Sequence, residues 1–277
     1  MTVASAARGL ARACHPLPAV AVTFVMSAFA WALGWRGGSL VVLVGAILVG
    51  QLSVGWSNDA HDAALDRRAD RSAKPTVAGL VSPGALWSAA VGALASSCAL
   101  SWWAAGWLGG SFHVLALAMA WLYNVRLSRT AWSWLPYAVA FGAMPAFLTI
   151  GLDGSAPPAW AVATFAVVGV AGHLANAVPD VEADRAAGID GLAVRLGAAA
   201  ATAVCWALLG AGTAILALAV SGSSALLAVV VVAAYLVALT IAVVARGRSV
   251  SYHALLAVVA VDVVALVAAG AVAGWPA

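Results

Sequence analysis

Residues 55–79 read GWSNDAHDAALDRRADRSAKPTVAG, and the chain is organised around them. The stretch gathers four aspartates, three arginines and the only lysine of the protein into 25 positions. Asn58, Asp62 and Asp66 stand at i, i+4 and i+8. That spacing predicts a helix carrying the three side chains as one ladder, about 6 Å from rung to rung. Asp59 adds a carboxylate on the same side, three residues before Asp62. Acids this close repel one another unless a cation lies among them. A hard cation such as Mg2+ takes carboxylate oxygens and keeps water or phosphate oxygens in its other positions. Arg67, Arg71 and Lys74 follow the acids and suit the phosphates that such a metal carries.

Residues 173–197, HLANAVPDVEADRAAGIDGLAVRLG, repeat the design. Asn176, Asp180 and Asp184 form a second ladder, followed by Arg185 and Arg195. One such cluster alone also suits a solvated loop between membrane helices. Two matching ladders, each closing an apolar segment, favour a functional pair.

On these residues the chain resembles the UbiA superfamily of intramembrane prenyltransferases. Residues 58–66 fit the NDxxDxxxD pattern of that family, with Lys74-Pro75 after it. Asp180 to Asp184 fits its DxxxD pattern, with the glycine that usually follows at Gly188. The resemblance implies an all-α membrane enzyme that binds a prenyl diphosphate through Mg2+.

Composition sets the class independently. Of 277 residues, 65% are hydrophobic and 8% charged, against about 25% charged in a soluble domain. Apolar runs of about 20 residues each span a bilayer. Nine such segments are expected, at 17–35, 39–57, 84–108, 111–125, 131–151, 158–178, 198–219, 223–245 and 252–274. Gly37-Gly38, Gly109-Gly110 and 221–224 mark tight turns between them. Arg8 and Arg12 precede a first run long enough to span and without a clear cleavage site, so it reads as a helix rather than a signal peptide. The formal charge of +3 is spread over short loops with no basic arm, which gives no sign of a nucleic-acid partner. Cys14, Cys98 and Cys205 are too scattered for a disulfide framework or a zinc site.

Nine spans in alternation put twelve basic residues on one face: Arg8, Arg12, Arg67, Arg68, Arg71, Lys74, Arg126, Arg129, Arg185, Arg195, Arg246 and Arg248. Only Arg36 is left for the other face. This predicts a cytoplasmic N-terminus and active-site loops, with the C-terminus outside. Both ladders then share the cytoplasmic face, four helices apart. The expected organisation is a single domain over 1–277, with repeat-like halves near 1–130 and 131–250 and an extra helix at 251–277, around a central cavity.

Asp62, Asp66, Asp180 and Asp184 are the principal metal carboxylates in this reading, with Asn58, Asp59 and Asn176 in support. Lys74 leads the diphosphate candidates, ahead of Arg67, Arg71 and Arg195. Residues 123–130, YNVRLSRT, resemble the family's tyrosine-containing segment, which commonly carries a lysine near the position of Ser128. Arg126 and Arg129 bring the positive charge here instead, and Tyr123 and Asn124 are pocket candidates. Arg12, in RACHPLP, lies where family members often carry a basic residue near the site. Trp31, Trp35, Trp102, Trp103, Trp107, Trp132, Trp134 and Trp160 lie near predicted helix ends, as an interfacial belt requires. Asp262 stands alone in an apolar segment, where a carboxylate needs a partner or a proton; packing of the last helix is its favoured role.

Three functions fit these residues, in falling order. The first is prenyl transfer from an allylic diphosphate to an aromatic or other lipophilic acceptor. The second is a UbiA-type terpene cyclase, in which the ionised chain closes on itself. The third is a cation transporter, which accounts for the acids but not for the basic residues beside them.

Overall fold

A computed structural model describes residues 3–68 and 70–245 and, nearer the C-terminus, 254, 257, 258, 260–265, 267 and 268. All regular structure among the described residues is helical. Seven helical stretches are long and apolar enough to cross a membrane: Pro16–Leu33, Gly37–Arg68, Pro83–Leu127, Leu135–Asp153, Ala159–Ala186, Ala198–Ser221 and Ala225–Val244. The chain divides into two compact units, Met1–Val125 and Arg126–Ala277.

In the first unit, a short helix α1 (Val3–Ala13) leads through His15 into α2 (Pro16–Leu33). Pro16 opens α2 because a first helical residue needs no N–H partner. Next comes α3 (Gly37–Arg68), which packs most extensively against α4 (Pro83–Leu122). Ser82 caps α4 by accepting from Ala85 N at 3.2 Å, with Pro83 next to it. A π-helical segment, Tyr123–Leu127, closes α4.

The expected segments 84–108 and 111–125 both fall in α4, which folds back on itself at Gly106. Gly106 has φ 65° and ψ 177°, a conformation that side-chain-bearing residues rarely adopt. Ser101 Oγ lies 2.7 Å from His113 Nδ1, whereas twelve residues of straight helix would separate them by about 18 Å. The turn is therefore at Gly106, not at Gly109-Gly110, which are buried inside the second arm. Ser101 Oγ also donates to Ser97 O, and Ser97 Oγ to Ala46 O on α3, so this buried polar row holds the hairpin against its neighbour.

The second unit contains α5 (Leu135–Asp153), α6 (Ala159–Ala177), the short α7 (Val181–Ala186) and α8 (Leu192–Leu196), then α9 (Ala198–Ser221) and α10 (Ala225–Ala245). Helix α6 packs on both α5 and α9, and α10 on α9. Leu174, Val181, Ala201, Cys205 and Leu209 form its buried core with Ala238 and Val258. Asp262 is fully buried and accepts from Thr213 Oγ1, with oxygens at 3.1 and 3.0 Å.

Seven candidate spans thus stand among the described residues where nine segments were expected. Two of the nine share α4. The ninth, 252–274, lies partly outside the described residues, as do Arg246 and Arg248 entirely. Segment 39–57 also continues eleven residues further, to Arg68, because its polar end is covered by protein. Trp35 departs from the expected belt: it is 2% exposed and packed inside.

Candidate active site

The first ladder forms the last three turns of α3. Arg67 and Arg68 in the final turn complement the negative end of the helix dipole. What buries this charged end is the chain on either side of it. Gly55 touches the α1–α2 elbow so closely that a Cβ would lie 2.5 Å from Cys14 O. Trp56 Nε1 donates to Leu10 O at 2.9 Å. One turn on, Ala60 packs with Ala13, Val81 and Leu86. As a result Asp59 and Asp66 are buried, while Asn58 and Asp62 are half-buried.

Burying a carboxylate requires partners. Asp59 has two on the same oxygen: Lys74 Nζ at 2.6 Å and His15 Nε2 at 3.0 Å from Oδ1. Asp66 Oδ1 pairs with Arg71 Nη1 at 3.2 Å. Its other oxygen, Oδ2, is buried with no hydrogen-bond partner. An orphaned carboxylate oxygen in an Asn/Asp ladder is a donor set that fits Mg2+. No three His, Cys, Asp or Glu side chains among the described residues cluster as a ready metal cage. Mg2+ does not need one, since it commonly takes one or two carboxylates and completes its shell with water and substrate phosphate.

The end of α4 braces the same turn. Asn124 Nδ2 donates to Val54 O and to Ser57 Oγ, both at 2.9 Å, and Asn58 Nδ2 lies 3.5 Å from Asn124 Oδ1. Trp121 Nε1 donates to Ser53 Oγ at 2.9 Å, and its ring leans on Trp87 at 5.8 Å. Asn124 is therefore a buried brace, whereas Tyr123 beside it is half-buried. Asn124 lies in the π-turn Tyr123–Leu127, and such turns recur at functional sites.

The second motif differs from expectation in its backbone. The ladder Asn176, Asp180, Asp184 does not ride one unbroken α-helix. Helix α6 ends at Ala177, a 3-10 turn covers Val178–Asp180, and α7 resumes at Val181. Pro179 explains the break: it has no N–H for an α-helical bond, and its ring clashes with the preceding turn. Asn176 and Asp180 are exposed and Asp184 is half-buried. Gly188 ends α7 with φ 72°. Ser133 Oγ lies 3.0 Å from His173 Nε2 and accepts from Leu192 N at 3.1 Å, with Tyr137 stacked on the imidazole at 4.6 Å. These contacts tie the start of α5, the end of α6 and the chain after α7 together.

The basic candidates separate by position. Lys74 and Arg71 meet acids of the first motif, and Arg12 donates to Ala73 O at 3.2 Å. Arg67, Arg126 and Arg129 are exposed. Arg195 pairs with Asp190, while Arg185 binds Glu182 and Val194 O. Sequence reading gave no role to His15, Ser57, Ser133 or His173. His15 alone offered a signal, as an imidazole directly before the Pro16 that opens a helix.

Comparison with known proteins bears on the fold. The chain superimposes on a UbiA homolog from Archaeoglobus fulgidus bound to DMAPP and Mg2+, with TM-score 0.73 and 16% identity over 94% of this chain and 98% of that one. A UbiA homolog from Aeropyrum pernix K1 in its apo form gives 0.70 and 19%, over 91% and 97%. A structure described as digeranylgeranylglyceryl phosphate synthase gives 0.70 and 11%, over 95% and 96%. No curated protein matches the sequence significantly. The model of the UbiA prenyltransferase family matches residues 19–260, which contain both acidic motifs and every helix from α3 to α10, so the chain belongs to that family.

Proposed function

We propose that this integral, multi-pass membrane protein is a Mg2+-dependent prenyltransferase that ionises an allylic prenyl diphosphate and transfers the prenyl group to an aromatic or other lipophilic acceptor. The observation that carries the reading is Asp66: a fully buried carboxylate, at the end of an Asn/Asp ladder, with one oxygen orphaned. Membership of the family and the DMAPP and Mg2+ bound to the Archaeoglobus fulgidus relative support it.

Asp62, Asp66, Asp180 and Asp184 would hold the metal, with Asn58, Asp59 and Asn176 supporting them. Bound Mg2+ supplies electrostatic neutralisation of the charge that builds on a departing diphosphate. Lys74, Arg71, Arg67, Arg195, Arg126 and Arg129 are the side chains available to the diphosphate oxygens. Tyr123 and Asn124 shape the pocket, Asn124 by fixing the turn before Asn58. Arg12 contributes by holding the carbonyl next to Lys74. The apolar tail of the substrate is matched by helices with few charged groups, where lipid and protein together exclude water from a carbocation. We place the N-terminus and both motifs on the cytoplasmic face, on the distribution of basic residues.

Incubating the purified protein with Mg2+ and prenyl diphosphates of increasing length, with and without quinone precursors, tests the reading. Prenylated acceptor is expected. A cyclic hydrocarbon or terpene alcohol formed without acceptor would replace transfer by cyclisation.

A further inference from the structure

We propose that His15 is a positioning residue for diphosphate capture: it holds Asp59 so that Lys74 can leave that carboxylate for the substrate. The inference rests on the proposed prenyl diphosphate chemistry and adds to it a role for a residue outside both motifs.

Three observations carry it. Lys74 and His15 meet on one oxygen, Asp59 Oδ1, at 2.6 and 3.0 Å. The exposures are graded: the Asp59 side chain is 2% exposed, Lys74 25% and His15 41%, so both partners come to the buried carboxylate from its more open side. The backbone around Lys74 is tied down. Lys74 N donates to Arg71 O, Lys74 O accepts from Val77 N and Ala78 N, and Arg12 holds Ala73 O. A change of partner by Lys74 therefore needs rotation of its flexible four-carbon stem and no movement of the loop.

The energetics assign the role to His15. A buried carboxylate stripped of its partner is strongly unfavourable. If Lys74 were the sole partner of Asp59, each diphosphate bound through Lys74 would orphan that acid. His15 removes the penalty, because it stays on Oδ1 when Lys74 turns. It is itself fixed: it occupies the N-cap of α2 with φ 51° and ψ 68°, is followed by Pro16, and its carbonyl accepts from Ala19 N at 3.1 Å. With His15 absent, Lys74 is retained on Asp59 and diphosphate affinity falls. A neutral N–H donor in place of His15 keeps a partner on Asp59 and leaves Lys74 free to turn.

The test measures geranyl diphosphate affinity in Mg2+ for wild type, His15→Ala and His15→Gln, with melting temperature recorded for each. Lys74 is the only lysine, so protection of its peptide from an amine-reactive reagent reports its partner directly. His15→Ala should weaken binding about tenfold, with the loss in KM rather than kcat, and should abolish protection of Lys74 by substrate. His15→Gln, which keeps an N–H donor, should recover both binding and protection of Lys74. If His15→Ala proves unstable, the affinity and the protection of Lys74 in His15→Gln still decide. A His15→Gln protein that binds as weakly as His15→Ala, or a His15→Ala protein with wild-type affinity, overturns the proposal alone. A wild-type protein that binds no prenyl diphosphate overturns the functional reading and this role with it.

Discussion

Asn124 donates to Ser57 Oγ at 2.9 Å, and so the end of α4 holds the turn of α3 on which the first motif begins. The same amide group also donates to Val54 O, so both of its hydrogens are spent on α3. Asn124→Leu should leave two acceptors on α3, one of them buried, without that donor. We expect a loss of about 1–3 kcal/mol in stability and weaker substrate binding, read by thermal unfolding and by KM. An Asn124→Leu protein with wild-type melting and KM would show that α4 does not brace the motif.

Gly55 makes a sharper steric prediction. Its missing side chain admits Cys14 O, which a Cβ would meet at 2.5 Å, and the obstacle is backbone rather than a mobile side chain. Gly55→Ala should destabilise by about 1–3 kcal/mol and displace the elbow that carries His15. Gly45→Ala, on the same helix with nothing within 4 Å of its Cβ position, is the control and should melt as wild type. Equal melting temperatures for the two variants would contradict the close packing.

The class of fold and the first ladder were legible because both are local. Apolar runs identify spans by length, and Asn58, Asp62 and Asp66 share a face on any helix. Three features were not legible. The hairpin in α4 needs one residue with positive φ, and Gly106 competes in sequence with the more conspicuous Gly109-Gly110 pair. The break in the second ladder falls at Pro179, but the i, i+4, i+8 spacing conceals it, since a 3-10 turn keeps the chain helical. The partners of Asp59 come from 44 and 15 residues away, and only tertiary packing joins them.

Asp262 separates packing from chemistry. Its carboxyl group is fully buried against the Thr213 hydroxyl. Asp262→Asn keeps an acceptor and should preserve melting temperature and product. Asp262→Leu leaves the hydroxyl without this partner and should cost about 1–3 kcal/mol of stability, with the product unchanged. A stable Asn variant that yields a different product would assign Asp262 to the reaction instead.

Diphosphate release is the most direct measure of whether both motifs serve one metal-dependent ionisation. The purified protein is placed in lipid nanodiscs with a prenyl diphosphate that it turns over. Wild type should release diphosphate in Mg2+, stop in excess EDTA and recover when Mg2+ is restored. Asp62→Ala and Asp180→Ala, each folded by melting temperature, should each lose at least about 100-fold in turnover. Near-wild-type turnover in Mg2+ by either folded variant would contradict a reaction that requires both ladders.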